Sequence, residues 1–272
     1  MPTQAEKGRA FKERHAKPGI ILLPNPWDAG TAKLLQSLGF EALATTSLGM
    51  SNALGRADGE GAVSRAELIE NCRVIAEATD LPVNADLENG YADDPKEAAT
   101  ILRDACAAGI VSGSIEDWSG EKIYEFNHAV ERVAAGVEMA RSLPVPFTFV
   151  ARAENLIRGR NDLDDTIRRL QAFEKAGADV LYAPGLLTLE TMKLVASSVS
   201  RPVNIVMTGV DPSLTAADIE AVGVKRISVG GSLSRLALAA FMKGAREMKE
   251  MGGFTWVRDT MPTRDLKVVF KS

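Results

Sequence analysis

The sequence predicts an α/β fold, specifically a (β/α)₈ barrel of the TIM type, from two observations. First, a short apolar run, a polar turn and a longer amphipathic stretch recur in that order eight times. Second, the apolar runs stay apolar until their last residues, which is typical of parallel strands covered on both faces. Eight such units favour a closed barrel, because eight strands enclose an interior that side chains fill. An open, doubly wound sheet is the alternative.

The eight apolar runs are the predicted strands. They cover residues 20–25, 42–47, 82–88, 112–117, 147–154, 180–185, 203–207 and 226–231. The segments between them place apolar residues at i, i+3, i+4 and i+7, which is the spacing of an amphipathic helix. Several of these segments end in glycine, as helices with a left-handed C-terminal residue do; these are Gly39, Gly109, Gly177 and Gly223.

The pattern predicts one barrel domain over residues 1–272, because no linker or low-complexity stretch interrupts it. A helix at about 3–17 precedes the barrel, and an extension at about 252–272 follows it. The extension contains apolar residues, including Trp256 and Phe270, that must be buried on the barrel flank or on a neighbouring subunit. We therefore expect a homo-oligomer.

The composition argues against several classes of partner. The 36 acidic and 32 basic residues give a net charge of −4, which does not suit a nucleic-acid or anionic-membrane partner. No apolar run approaches the roughly 18 residues of a membrane span, and the polar N-terminal segment is no secretory signal. The two cysteines form no disulfide framework. The expected compartment is the cytoplasm.

Carboxylates lie at the predicted ends of neighbouring strands. Asp86 and Glu88 end the third strand and Glu116 the fourth, while Asp58 follows the second. Because the strand ends of a barrel converge on one face, these side chains repel one another unless a cation neutralises them. Hard oxygen ligands suit Mg²⁺. The alternative is that acidic residues at such junctions cap helices or bind loops.

Other residue types narrow the chemistry. Both histidines fall in predicted helices away from the strand ends, which excludes a histidine-based zinc site and a Ser-His-Asp triad. Arg152 ends the fifth strand, where an inward charge is costly unless it meets an anion. A substrate carboxylate is one such partner, and a salt bridge with Glu154 or Glu116 is the alternative. Ser47 and the backbone that follows it form a candidate carboxylate cradle.

Three segments, VNADLENGY, SIED and ARAENLIRGRND, resemble the isocitrate lyase/phosphoenolpyruvate mutase superfamily, and the resemblance runs over residues 24–231. It implies a barrel that binds a small 2-oxo acid with Mg²⁺, or alternatively Mn²⁺, in a dimer or tetramer that exchanges its last helix. The implied metal ligands are Asp86, Glu88 and Glu116. The implied catalytic residues are Arg152, Glu116 and Asp58, and the implied substrate-binding residues are Ser47, Leu48, Gly49, Arg152 and Asn204.

The chain departs from that superfamily in ways that bear on the reaction. Residues 118–127, the predicted lid with Gly120 as its hinge, lack the Cys-Gly-His loop of the isocitrate lyases and the Thr-Asn-Ser of the phosphonate enzymes. Asn84 stands where the family's Asp-Ala-Asp has its first aspartate. These departures argue against isocitrate cleavage and give phosphonate chemistry no support.

The function expected from these features is a Mg²⁺-dependent lyase acting on a small 2-oxo carboxylate. It would break a C–C bond or decarboxylate an oxaloacetate-like substrate through a metal-stabilised enolate. One alternative is a mutase or hydrolase of the P–C bond of phosphonopyruvate. Another is a barrel that binds a 2-oxo acid without turning it over.

Overall fold

A computed structural model describes residues 2–59 and 61–271 of the chain. The strands are β1 (Ile21–Leu23), β2 (Leu43–Ala44), β3 (Val83–Asp86), β4 (Ser112–Glu116), β5 (Thr148–Arg152), β6 (Val180–Tyr182), β7 (Val203–Val206) and β8 (Arg226–Ser228). The helices are α1 (Gln4–Ala16), α2 (Ala29–Ser37), α3 (Ser47–Ala53), α4 (Arg65–Glu77), α5 (Pro95–Ala107), α6 (Phe126–Ser142), α7 (Leu163–Ala176), α8 (Leu189–Ser197), α9 (Ala216–Ala221), α10 (Ser232–Met251) and α11 (Thr263–Phe270). A 3₁₀ helix covers Thr255–Asp259.

The strands form one parallel sheet that closes on itself. Consecutive strands pair with one another from β2 through β8, and β8 pairs with β1. The remaining seam is bridged where the Ala44 N–H donates to the Pro24 carbonyl at 3.1 Å. This arrangement confirms the predicted (β/α)₈ barrel and brings all eight carboxyl ends of the strands to one face.

The helices begin and end at the residues that the sequence marks. The carboxylates of Asp28, Asp94 and Asp162 accept hydrogen bonds from backbone N–H groups in the first turns of α2, α5 and α7. These bonds satisfy donors that a helix start leaves without partners. At the other end of α7, Gly177 adopts φ 106°, the left-handed conformation that stops a helix. Local sequence therefore sets where α2, α5 and α7 begin and where α7 ends.

The two ends of the barrel are covered differently. Helix α1 lies under the amino ends of the strands, where Phe11 is buried and packs with Ile21 and Leu23 of β1. Helix α10 instead leaves the barrel, and residues 235–243 are exposed all round it. The outward-facing Leu22 of β1 is consequently 42% exposed. The flank that an eighth helix normally covers is thus open in the single chain.

The C-terminal extension folds back beyond α10. Trp256 packs against Gly244 of α10, and α11 lies against α2. Among the described residues, no helix is both long and apolar enough to cross a membrane.

Candidate active site

Two adjoining cavities open at the carboxyl ends of the strands. The inner one, of about 270 Å³, reaches down into the barrel, and the outer one, of about 570 Å³, lies beneath the loops that follow β2, β3 and β4. Five side chains line both cavities: Ser47, Asp58, Asp86, Arg152 and Arg158. The sequence predicted four of these five as site residues.

Asp86 stands at the centre of this site. Its backbone N–H donates to Thr45 Oγ1 at 2.9 Å, which ties the end of β3 to the end of β2. Its Oδ2 accepts a hydrogen bond from Ser47 Oγ at 3.2 Å, and Ser47 begins α3. The predicted metal ligand and the predicted carboxylate cradle are therefore in direct contact.

Arg152 projects from β5 into the carboxylates. Its Nη1 lies 3.4 Å from Asp86 Oδ1 and 3.4 Å from Glu116 Oε2, and its Nε donates to Glu154. Burial alone would lower the pKa of the guanidinium, but the carboxylates of Glu154 and Glu116 raise it above its ordinary value. Both salt bridges that the sequence left as alternatives are present, and Arg152 also faces the cavity.

Glu116 is buried beneath this arginine. Burial raises the pKa of its carboxyl group, the negative charge of Glu154 raises it further, and Arg152 opposes both effects. Arg158 provides a second cation, with its Nη2 3.5 Å from Glu116 Oε1 and its Nε 3.2 Å from Glu154 Oε2. Arg158 also lies over the ring of Trp118 at 4.6 Å, which joins the predicted lid to the site.

Glu88 belongs to a strained turn after β3. It adopts φ 50°, and Tyr91 adopts φ 61°, a conformation that is uncommon outside glycine and that persists where the surrounding structure enforces it. The Glu88 carbonyl accepts the Glu116 N–H at 2.9 Å, and the Tyr91 hydroxyl donates to the Val63 carbonyl at 3.1 Å. Glu88 lines the outer cavity but not the inner one.

Gly90 in this turn is expected to tolerate no side chain. It has φ 80°, and a Cβ atom would lie 2.8 Å from the Ala98 carbonyl oxygen of α5. Gly90→Ala should cost ~2–5 kcal/mol, combining left-handed strain with overpacking. Gly39→Ala is the matched control, because Gly39 has φ 82° and nothing within 4 Å of its Cβ position. Denaturant unfolding should show the larger loss at Gly90, and equal losses would contradict this account of the turn.

The predicted substrate-binding residues separate into two groups. Ser47, Leu48 and Asn204 line the inner cavity. Gly49 does not line it. The Gly49 N–H donates to Thr46 Oγ1 at 3.3 Å, and a Cβ there would lie 2.7 Å from the Thr46 methyl group. Gly49 therefore packs behind the cavity wall. Its N–H is the third of α3 and serves to cap that helix, so it does not face the cavity.

The predicted lid is anchored at its base. Residues Trp118 and Ile123 pair in an antiparallel bridge, and the Tyr124 hydroxyl donates to Asp93. Tyr124 is buried, with the guanidinium of Arg132 4.3 Å above its ring, whereas Lys122 is exposed. Tyr124 lines neither cavity, although its partner Asp93 lines the outer one.

The carboxylates suit a hard cation, although they do not form a closed cage. Over residues 2–59 and 61–271, no three His, Cys, Asp or Glu side chains are placed to hold a metal ion together. Mg²⁺ usually takes only one or two direct protein ligands and keeps several waters. Asp86 and Glu116, two oxygen donors beside an open cavity, fit that requirement. Glu88 and Asp58 line the outer cavity, from which they would contact the metal through bound water.

Two further residues lie at the site that were not predicted from the sequence, Arg158 and Arg226. Arg158 lies four residues after Glu154 in the segment after β5, a spacing that predicts a contact on one helical turn. Arg226 begins β8 and lines the inner cavity. The signal for Arg226 was the same as for Arg152, a charge at an inward position of a buried strand.

The chain resembles known proteins along most of its length. The family model for phosphoenolpyruvate phosphomutase matches residues 11–249. A Mycobacterium tuberculosis protein of uncharacterised function is 31% identical over 89% of each chain. The 2,3-dimethylmalate lyase of Eubacterium barkeri is 29% identical over 75% of this chain and 73% of its own. The solved structure of a candidate lyase/mutase from Burkholderia cenocepacia J2315 has a TM-score of 0.95 and 47% identity, covering 99% of this chain and 97% of that one.

Proposed function

This chain belongs to the phosphoenolpyruvate phosphomutase family, within the isocitrate lyase/phosphoenolpyruvate mutase superfamily, and on that premise we propose that it is a Mg²⁺-dependent lyase acting on a small 2-oxo carboxylate. One observation carries the proposal. Asp86, Glu116 and Arg152 meet at the strand ends, beside Ser47, and all four line the outer cavity, which is large enough for a small acid. The resemblance to a carbon–carbon lyase, 2,3-dimethylmalate lyase, supports it.

Asp86 and Glu116 would hold the metal, directly or through water, with Glu88 and Asp58 in support. When bound, Mg²⁺ acts as a Lewis acid that polarises the keto oxygen of a 2-oxo acid. The Ser47 hydroxyl and the first turn of α3 bind the carboxylate of the substrate next to Asp86. These contacts orient the bond that breaks, so that cleavage leaves its electron pair on the carbon next to the keto group.

Arg152 balances the negative charge that develops on the keto oxygen as the bond breaks. Its guanidinium is held by Glu154 and by the ring of Tyr182, 4.9 Å away, so its position is preorganised. A preorganised charge stabilises the transition state more strongly in a site that excludes water. Trp118 and the lid residues around it, which Arg158 ties to the carboxylates, are placed to provide that exclusion.

A paired substrate screen tests the reaction class. The protein with Mg²⁺ is incubated with 2-oxo acids and, separately, with phosphonopyruvate. The lyase predicts a carbonyl product or carbon dioxide from the first set, and no phosphate from the second. Phosphate release alone would identify a P–C hydrolase, phosphoenolpyruvate formation would identify a mutase, and binding of both sets without turnover would identify a 2-oxo acid binder.

The exposed helix α10 supports the proposal that the protein is a homo-oligomer. Residues 235–243 include Leu236, Leu238 and Phe241, and Phe241 is 70% exposed. An apolar stretch of this size on a free surface is the mark of an interface. The flank around Leu22 lacks its covering helix, so α10 of a second copy fits the open position. This exchange makes each chain complete the other's barrel.

Phe241→Glu is expected to dissociate the oligomer, because it places a charge within the exposed apolar stretch proposed to be exchanged. Light scattering at matched concentrations should show a dimer or tetramer for the wild type and a monomer for the variant. Lys249→Glu is the control, since this exposed residue of α10 lies beyond the stretch 235–243 and should leave the mass unchanged. A monomeric wild type would refute the exchange.

A further inference from the structure

The interior of this barrel is unusually polar below the strand-end carboxylates. TIM-barrel interiors are generally filled by layers of bulky branched side chains. Here the inward positions of β3, β4, β7 and β8 carry amides, hydroxyls and an arginine, all buried. They are Asn84, Ser112, Ser114, Asn204, Ser228 and Arg226. The inner cavity reaches down to most of them, including Arg226.

Arg226 is the most unusual of these residues, because it is a buried cation met only by neutral groups. It is 2% exposed, and its Nε and Nη2 donate to Asn204 Oδ1 and Asn84 Oδ1, each at 3.2 Å. Its Nη1 lies 3.4 Å from His15 Nε2. Burial lowers the pKa of His15 to about 3, so this imidazole is neutral and brings no charge of its own.

No negative charge in the described part of the chain balances Arg226. Over residues 2–59 and 61–271, no carboxylate lies within 4.0 Å of its guanidinium. Burial lowers the pKa of Arg226 to about 9, which still leaves it charged at neutral pH. A buried, unpaired charge is costly, whereas a charge paired with an anion and hydrogen-bonded is tolerated. Binding of an anion would therefore lower the free energy of this buried guanidinium.

Asn84 explains why the charge stays unbalanced. Its Oδ1 accepts hydrogen bonds from Arg226 and from Ser112 Oγ, so an aspartate at the same position would place a carboxylate against the guanidinium. The first residue of the segment Asn84-Ala85-Asp86 is thus the amide form of the residue that would neutralise Arg226. The anion must come from the cavity.

We propose that Arg226 forms an anion subsite inside the barrel that binds a second carboxylate of the substrate. The inference rests on the proposed function and narrows its substrate to 2-oxo dicarboxylic acids. The Ser47 cradle contacts Asp86, and Arg226 contacts Asn84, two residues earlier on β3. At about 3.3 Å per residue, these levels differ by ~6.6 Å, which a short carbon chain spans.

Matched pairs of ligands test the subsite in the wild-type protein. Oxaloacetate is compared with 2-oxobutyrate, and 2-oxoglutarate with 2-oxopentanoate, each in competition with oxalate in the presence of Mg²⁺. The two acids of each pair have the same number of carbon atoms, and only one of them carries a second carboxylate. We expect at least one diacid to bind ~10–100-fold more tightly than its monoacid, because a hydrogen bond to a charged group is worth ~1.5–3 kcal/mol. Equal affinities in both pairs would overturn the subsite.

Two substitutions then test the residue. Arg226→Gln should abolish the preference for the diacid while leaving the affinity for oxalate with Mg²⁺ within about twofold, because oxalate is too short to reach it. Asn84→Asp should also abolish the preference, because it supplies an internal anion, and it provides a second test if Arg226→Gln fails to fold. A preference that persists in either folded variant would overturn the assignment.

The remaining outcomes separate the two proposals. If oxalate with Mg²⁺ binds the wild type but the matched pairs do not differ, the subsite fails and the lyase proposal stands. If chloride stabilises the wild type and not Arg226→Gln, with no diacid preference, the site holds a free anion and the substrate assignment is overturned. If oxalate with Mg²⁺ does not bind at all, the proposed function fails and the subsite falls with it.

Discussion

Asp86→Asn is expected to weaken Mg²⁺-dependent binding of oxalate by at least ~100-fold, since even the loss of an outer partner of a metal site typically costs 10–100-fold. The substitution keeps the shape of the side chain and removes its charge. The Asp86 N–H bond to Thr45 involves the backbone, so β3 should remain tied to β2. Calorimetry with Mg²⁺ and oxalate measures the affinity, and circular dichroism confirms that the barrel is folded.

The control is Asp164→Asn, an exposed carboxylate in the first turn of α7. It changes the net charge by the same amount and lies outside both cavities. Unchanged Mg²⁺ affinity in Asp86→Asn would refute the assignment of Asp86 to the metal. A loss of Mg²⁺ affinity in both variants would attribute the effect to the change in net charge.

Arg152→Met is expected to lower the free energy of unfolding by ~3 kcal/mol, the low end of the cost of breaking a buried ion pair, because Arg158 remains beside Glu154 and Glu116 as a second cation. Glu154 is fully buried, and the substitution takes from it the Nε donor of Arg152. Catalysis should be lost as well, because the developing negative charge on the keto oxygen is no longer balanced. Urea unfolding at neutral pH measures the first effect, and turnover of the preferred 2-oxo acid measures the second.

The addition of Mg²⁺ distinguishes this account from a purely structural role for Arg152. With the arginine removed, Asp86 and Glu116 lose a shared cation, so Mg²⁺ should raise the melting temperature of the variant more than that of the wild type. Arg73→Met is the control, because its ion pairs with Glu70 and Glu77 are on the surface and such pairs contribute little. If Mg²⁺ stabilises the variant no more than the wild type, the metal does not bind at these carboxylates.

The barrel could be predicted from the sequence because its signal is repeated and local. Every predicted strand contains a real one; the predicted starts lie within one residue of the observed ones, and the predicted ends lie one to three residues too late. Helix starts such as Asp94 and stops such as Gly177 are determined by residues within one turn. The departure of α10 from the barrel could not be predicted from its periodicity. An amphipathic pattern identifies which face of a helix is buried, but not the surface against which that face packs.

The site was predicted in part for a similar reason. Strand order brings Asp86, Glu116 and Arg152 together, and strand order follows from the fold. The backbone use of Gly49 depends on which N–H groups cap α3, and the strain at Glu88 depends on how its turn meets β4. The first is a local capping contact at the start of α3, which the interpretation of strand ends did not consider, and only the second is a tertiary effect. Arg226 showed a readable signal, an inward charge on a strand, but its importance depends on the neutral groups around it.

Calorimetric titration of the metal-stripped wild-type protein with oxalate, with and without Mg²⁺, tests the central claim most directly. Oxalate mimics the enolate that a pyruvate-forming cleavage leaves behind. We expect oxalate to bind tightly only when Mg²⁺ is present, and Mg²⁺ to bind more tightly when oxalate is present, because the two ligands share one site. Oxalate binding that is equal with and without Mg²⁺, or no binding in either case, would contradict it.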